Sequence, residues 1–81
     1  MWYFIIRQQA IRNQQYSRLQ KLAALTEVEM FNEPYENFCL FDVETGRYKE
    51  FMDVLDLEGI PYELSPTKPT RDQLLENMKG R

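Results

Sequence analysis

The chain has 81 residues, of which 43% are hydrophobic and 28% are charged. This length allows one small domain, and these percentages exclude wholesale disorder and a fibrous class. There is no histidine, the most common general base and metal ligand, and the single cysteine cannot form an internal disulfide. We therefore expect a protein without cofactors in the reducing cytoplasm. Its short apolar start predicts neither a signal peptide nor a membrane span.

The net charge of -3 is distributed unevenly along the chain. Residues 1–26 contain four basic residues and no acidic residue, whereas residues 27–64 contain eleven acidic and two basic residues. Residues 65–81 again have an excess of basic residues, four against two. Segregation of this kind concerns association with partners rather than the fold.

The first half of the chain predicts three strands and a helix. Trp2–Ile6 is a continuous apolar run, typical of a strand that is buried on both faces. Residues 8–25 lack glycine and proline and place apolar residues on one helical face, which predicts a helix. Glu27–Met30 alternates polar and apolar residues like a half-buried strand, and Asn37–Val43 predicts a second fully buried strand.

The segment that begins at Thr45-Gly46 fits two structures. The pair could form a hairpin turn, which would make residues 47–51 a strand. We favour a helix that is capped by Thr45, because apolar residues recur at helical spacing from Tyr48 to Leu55. Gly59 then ends this helix.

The remaining chain predicts a strand, a connector and a helix. Ile60–Leu64 is short, and Pro61 confines such a strand to the edge of a sheet. The connector at residues 65–69 is rich in proline. A helix follows from Thr70 to Lys79, with a Thr70/Gln73 capping box at its start and Gly80 at its end.

The order of these elements predicts an α+β, ferredoxin-like fold. This βαββαβ arrangement is a four-stranded antiparallel sheet with the strand order 4-1-3-2. The first and third strands are central in that order, and they are the two runs that are apolar on both faces. We expect one domain, with a βαββαβ core at residues 1–64, a connector at 65–69 and a C-terminal helix at 70–81.

The sequence contains few candidates for catalysis. Cys39 lies inside an apolar strand, where a free cysteine is a small buried hydrophobic residue. Asp42 and Glu44 follow a central strand and could bind a divalent ion or act as acid and base, but acidic residues occur throughout this segment. We predict that the protein is not an enzyme, and we rank a metal-dependent hydrolase built on Asp42 and Glu44 last.

Aromatic side chains from both central strands reach the sheet face that the first two helices leave open. An apolar patch of this size needs a cover. The last helix could supply it through Leu74, Leu75 and Met78, or a second copy or another molecule could do so. Binding of RNA to this face is a minor hypothesis. RRM domains stack bases on the same face, but the acidic segment, residues 27–64, repels phosphate.

Four short patterns occur in the order that is found in a known family. They are Trp2-Tyr3, the aromatic segment at residues 35–41, Gly59-Ile60, and the proline-led segment at residues 69–72. Together they resemble the amino-terminal (NGN) domain of NusG-type transcription elongation factors, although residues 35–41 lack the Pro and Gly of the family pattern. The resemblance implies a βαββαβ core that binds the clamp helices of RNA polymerase without catalysis.

Our leading hypothesis is a small interaction module that binds and regulates or inhibits a larger protein or nucleoprotein machine. Phage-encoded inhibitors act in this way through acidic surfaces that mimic phosphates, and charge steers such encounters. A homodimer is a second form of association, and we expect no membrane contact. The expected contacts are exposed aromatic residues and acidic residues, namely Trp2, Tyr3, Tyr35, Phe38, Asp42, Glu44, Asp53 and Asp56.

Overall fold

A computed structural model describes residues 1–79 of the chain. It has an α+β fold with one open, four-stranded antiparallel sheet and three α-helices. The elements in chain order are β1 (Trp2–Arg7), a single 3-10 turn (Gln8–Ala10), α1 (Asn13–Leu22), β2 (Leu25–Glu29), β3 (Phe38–Val43), α2 (Tyr48–Glu58), β4 (Glu63–Ser65) and α3 (Arg71–Lys79).

The strands are hydrogen-bonded in the order β2-β3-β1-β4. The predicted order, 4-1-3-2, names the same neighbouring strands, starting from the opposite edge of the sheet. All three neighbouring pairs are antiparallel, and Phe4 lies opposite both Phe41 of β3 and Leu64 of β4. β1 and β3 therefore lie in the centre, and every residue of β3 is buried.

The main core lies between one face of the sheet and the first two helices. Phe4 and Phe41 are fully buried on this face, and both rings contact Phe51 of α2 at centroid distances of 4.6 and 5.3 Å. Leu19 of α1 and Leu55 of α2 are also fully buried in this cluster. Burying a side chain of this size stabilises the fold by about 1.5–3 kcal/mol.

The third helix covers part of the opposite face. Leu74 is buried against Ile5, Phe38 and Leu40, and Met78 packs beside them. Of the three covers that the sequence allows, the structure therefore has the intramolecular one. The predicted Thr70/Gln73 capping box is confirmed, because each side chain accepts a hydrogen bond from the other residue's backbone N–H. The predicted stop at Gly80 lies outside the described residues.

The predicted helix at residues 8–25 was wrong at both ends. The N–H of Gln8 donates to the carbonyl of Asn37, which ties the end of β1 to the start of β3. Ile11 is extended and packs against the main core, so α1 begins only at Asn13. At the other end, Leu25 already belongs to β2. Strand pairing has overridden the helical propensity of these segments.

The helical interpretation of the segment after Thr45 is confirmed, but Thr45 is not its cap. The residue before the helix is Arg47, and no side chain caps this end. The hydroxyl of Thr45 instead accepts a hydrogen bond from the Met1 ammonium group. Gly59 ends the helix as predicted, with the positive φ of 69° that favours glycine.

The fourth strand begins later than predicted. Ile60 is 4% exposed and packs in the main core directly after α2, so it cannot join the sheet edge. Its N–H donates to the carbonyl of Leu55, completing the hydrogen-bond pattern of a Schellman motif. Pairing with β1 starts only at Glu63 and extends to Ser65.

Candidate protein-interaction surfaces

Four ion pairs in the described chain join the acidic segment, residues 27–64, to the two basic segments that precede and follow it along the chain. They are Arg7–Glu36 at 3.4 Å, Arg18–Glu58 at 3.1 Å, Lys68–Glu27 at 2.7 Å and Arg71–Glu29 at 3.0 Å. Folding therefore neutralises part of the charge segregation that is seen along the sequence. The whole segment 27–64 cannot act as one acidic surface, because four of its carboxylates already have basic partners.

The outward face of α2 keeps its acidic character. Glu50, Asp53 and Asp56 are exposed, and none of them is in the ion pairs of residues 1–79. Leu57 lies beside Asp53, one helical turn further on, and is 88% exposed. It is the most exposed large hydrophobic residue in the described chain. Sequence analysis had selected Asp53 and Asp56 but missed Leu57, which interrupts the acidic pattern of this helix.

The loop after α2 lies close to this acidic face. The pKa of Tyr62 is raised, first by burial and then by the neighbouring carboxylates of Asp56 and Asp53. Tyr62 also packs on Phe4, with ring centroids 5.5 Å apart. The two predicted carboxylates are thus close to a ring that packs in the main core.

The four predicted aromatic contact residues do not lie on one surface. Trp2 is half-buried on the sheet face that α1 and α2 cover, and it packs on Tyr48, with ring centroids 5.3 Å apart. Tyr3 is half-buried and has the opposite orientation because it is the next residue of β1. Tyr35 is half-buried in the loop that joins β2 to β3. These aromatics therefore cannot act together as anchors for a single partner.

The expectation that Phe38 is exposed was wrong. It is 7% exposed, because Leu74 covers it and Phe31 packs edge-on against its ring at a centroid distance of 6.4 Å. A base that stacks on β3 as in an RRM domain would have to displace α3 first. The alternation of β3 could not indicate this cover, because either face of a strand can be the covered one.

Asp42 is buried and lies apart from the exposed acidic residues. It sits within β3, 7% exposed, and its Oδ1 has no hydrogen-bond partner in the described chain. Burial raises the pKa of this carboxyl, Lys68 opposes the increase, and Glu27 adds to it. Asp42 therefore cannot belong to an exposed acidic surface. Glu44 is exposed just beyond the strand.

The loop between β2 and β3 forms one wall of an open cleft of about 1030 Å³. Tyr35 and Met78 line this cleft together with several polar side chains. Asn37 stabilises the loop through two hydrogen bonds. Its side-chain oxygen accepts one from the N–H of Phe31, and its side-chain amide donates one to the side-chain oxygen of Gln8. Glu36 is held by hydrogen bonding from Gln9 and by its ion pair. Much of the polar lining is therefore already used to support the loop.

The edge strand β2 carries an apolar surface that sequence analysis did not identify. Leu25 and Val28 are 50% and 39% exposed, and Met30, directly after the strand, is 65% exposed. The alternating pattern of Glu27–Met30 correctly indicated a strand, but its apolar side was expected to be buried, and Val28 and Met30 are instead exposed. The pattern could not show that the outer backbone edge has no neighbouring strand among residues 1–79.

The groups proposed for catalysis are not brought together. Cys39 is 1% exposed, and burial raises the pKa of its thiol, which disfavours the reactive thiolate. Within residues 1–79, no three His, Cys, Asp or Glu side chains are placed to hold a metal ion. The helices in this part of the chain are all too short or too polar to cross a membrane.

Comparisons of the chain with protein-family models, with curated proteins and with solved structures found no match. Its candidate surfaces therefore rest on their own geometry and chemistry.

Proposed function

We propose that the chain is a small non-enzymatic interaction module with a ferredoxin-like fold, which docks on a basic surface of a larger protein or nucleoprotein assembly and regulates or inhibits it. The order of the elements and the neighbours in the sheet support the fold assignment. The observation that carries the proposed function is Leu57, an 88% exposed leucine beside Asp53 on α2.

Leu57 has the properties of an anchor for a partner. A leucine that enters an apolar pocket contributes about 1.5–3 kcal/mol by burial. In protein interfaces, a few such anchors carry most of the binding energy. Its neighbours on the same helix, Asp53 and Asp56, are exposed. The docking surface thus combines one exposed apolar side chain with an acidic rim on the N-terminal side of it.

The acidic rim determines the class of partner. With Glu50, the rim has three carboxylates, and the exposed Lys49 on the same helix offsets one of them. Such a surface attracts a basic protein and repels the phosphates of nucleic acid. Rim charges mainly increase the rate of association, and salt screens their effect.

The position of α2 is well fixed, which lowers the cost of binding. Phe51 and Leu55 anchor the helix in the main core, and the Schellman motif closes its end at Gly59. A surface that is already ordered loses little conformational entropy on binding. We place the module in the cytoplasm, where the single thiol of Cys39 stays reduced.

Site-specific photo-cross-linking in the source cells tests the proposal. A photoreactive phenylalanine analogue at position 57 should form an adduct with one protein, and the same analogue at Gln20, exposed on α1, should not. The double change Asp53→Lys and Asp56→Lys should reduce the adduct from position 57 at least tenfold, about 1.4 kcal/mol. In extracts, raising the salt concentration should weaken it as well.

A matched control is Asn77→Lys, which also places a lysine on the surface but lies on α3, on the opposite face of the sheet from α2. It should leave the adduct unchanged. A polymerase subunit in the adduct would support the NusG-like form of the proposal. The proposal fails if position 57 gives no adduct, or if the adduct is insensitive to the two lysine substitutions.

A further inference from the structure

We infer that two copies of this chain associate through β2, by antiparallel pairing of the two β2 edges about a two-fold axis. This surface is distinct from the outward face of α2 and does not depend on the function proposed above. The occupant of the edge is a second copy of the same chain, and the pairing would join the two sheets into one of eight strands.

The backbone of β2 is available for this pairing. Its five residues pair with β3 on one side, and no strand of residues 1–79 lies on the other side. A free strand edge presents unpaired N–H and C=O groups that can bind another strand. The opposite edge is less suitable, because β4 has only three residues and follows Pro61.

The exposed apolar side chains of the molecule are concentrated at this edge. Five large hydrophobic residues are exposed in the described chain, and three of them are Leu25, Val28 and Met30. Leu25 points to the same side as Glu27, whereas Val28 points to the other side, so both sides of the edge carry apolar surface. Natural edge strands are usually protected by charge, especially that of lysine, or by proline. β2 has no lysine, arginine or proline, and its only charged residues are Glu27 and Glu29.

The charges at this edge do not oppose a second copy. Glu27 and Glu29, the two acidic residues of β2, are paired with Lys68 and Arg71. The edge is therefore neutral overall, although the chain carries a net charge of -3. The acidic face of α2 would repel its own copy, whereas the neutral edge of β2 does not.

Two-fold symmetry makes the apolar contacts complementary. Residues that are opposite in an antiparallel pair point to the same face, so Val28 of one copy meets Thr26, Val28 or Met30 of the other. An isologous contact uses the same patch twice, and each exposed apolar side chain is then buried in both copies. No additional chemistry is needed from the partner.

The predicted dimer has a consequence for the proposed docking surface. A two-fold axis perpendicular to the sheet keeps both helical layers on one side. Two acidic α2 faces would therefore point in the same direction, and a partner with two basic sites could bind both with increased avidity. This consequence applies only if both proposals hold, but the dimer itself can be tested alone.

Sedimentation equilibrium of the purified chain tests the dimer. The wild type should approach the mass of a dimer as its concentration rises, and Val28→Lys should raise the dissociation constant at least tenfold, about 1.4 kcal/mol. Met30→Lys, just outside the strand, should act in the same direction. Circular dichroism establishes that the variants are folded. Amide hydrogen exchange in β2 should be faster in a folded, dissociated variant.

Leu57→Lys is the matched control, because it replaces another exposed hydrophobic residue with lysine on a different surface. It should leave the dimer intact. The inference is overturned if the wild type stays monomeric up to a concentration of about 1 mM, since a dissociation constant above that value means negligible association. It is also overturned if Leu57→Lys dissociates the dimer as strongly as Val28→Lys does.

Discussion

The guanidinium group of Arg71 lies over the ring of Phe31, with its central carbon Cζ 4.2 Å from the ring centroid. The same group is 3.0 Å from a carboxylate oxygen of Glu29. These contacts connect the start of α3 to β2 and to the loop that follows it. They hold α3 in place at the β2 edge of the sheet, which is the edge opposite β4.

Replacing Arg71 should therefore loosen α3. We expect Arg71→Ala to lower the free energy of unfolding by about 1 kcal/mol, because an exposed cation–π contact and a surface ion pair each contribute a fraction of that amount. Arg71→Lys should have a smaller effect, since it keeps the charge. Urea denaturation, followed by the fluorescence of the single tryptophan, measures both changes. Lys79→Ala, an exposed change on the same helix, should be nearly neutral, and an equal effect of the two alanine substitutions would contradict the prediction.

Truncating Leu74 should expose the sheet face beneath α3. Leu74 is 3% exposed and packs on Ile5, Phe38 and Leu40. We expect Leu74→Ala to destabilise the protein by about 2–4 kcal/mol, the usual range for a buried leucine, and to increase the binding of a hydrophobic dye. Leu75→Ala is the control, because Leu75 is only half-buried and lies outside this cluster. Similar urea midpoints for the two variants would show that α3 does not cover the face as described.

Asp42 should make stability depend on pH. Burial raises the pKa of its carboxyl above the ordinary value of 3.8, which applies in the unfolded chain. The folded state then binds the proton more tightly, so ionisation lowers the free energy of unfolding as the pH rises from 3.8 through the folded pKa. Asp42→Asn cannot ionise, and its stability relative to the wild type should increase over this window and then stay constant.

Urea denaturation of both proteins between about pH 3.5 and pH 7 tests this prediction. Glu44→Gln controls for the loss of one negative charge at an exposed position close by. A stability difference between Asp42→Asn and the wild type that does not change with pH would contradict the assigned role of burial.

The two described internal glycines should respond differently to alanine. Gly59 has a φ of 69°, and we expect Gly59→Ala to cost about 1–2 kcal/mol because its Cβ meets the backbone in the left-handed region. Gly46 has no positive φ, and a Cβ there would have no neighbour within 4 Å. Gly46→Ala should therefore leave the free energy of unfolding unchanged or slightly increased. Thermal denaturation compares the two, and equal shifts would contradict the assignment of Gly59.

Local patterns in the sequence indicated most of the secondary structure. The apolar runs at Trp2–Ile6 and Asn37–Val43 identified the two strands that lie in the centre of the sheet, and the Thr70/Gln73 pair identified the start of α3. Errors arose where a tertiary contact outweighed propensity. Gln8 donates to the carbonyl of Asn37, just before β3, and begins a single 3-10 turn instead of an α-helix. Ile60 enters the main core instead of joining the sheet edge.

The candidate surfaces were less predictable than the fold. Charge counts along the chain could not reveal that Arg18 would pair with Glu58, because this pairing depends on how α1 and α2 pack. The period of two in β3 placed Phe38 and Asp42 on one face, but it did not show that α3 and its connector would cover that face. Leu57 was overlooked because a single leucine in an acidic helix has no pattern of its own.

The position of β1 between β3 and β4 has a consequence for the speed of folding. The ribosome produces β1 before either neighbour, and its pairing with β4 joins segments from nearly opposite ends of the described chain. Contacts between such distant segments carry a large entropic cost in the transition state. We expect this small domain to fold more slowly than a helical bundle of the same length. During synthesis, one edge of its first strand can pair once β3 has emerged, but the other edge must stay unpaired until β4 follows.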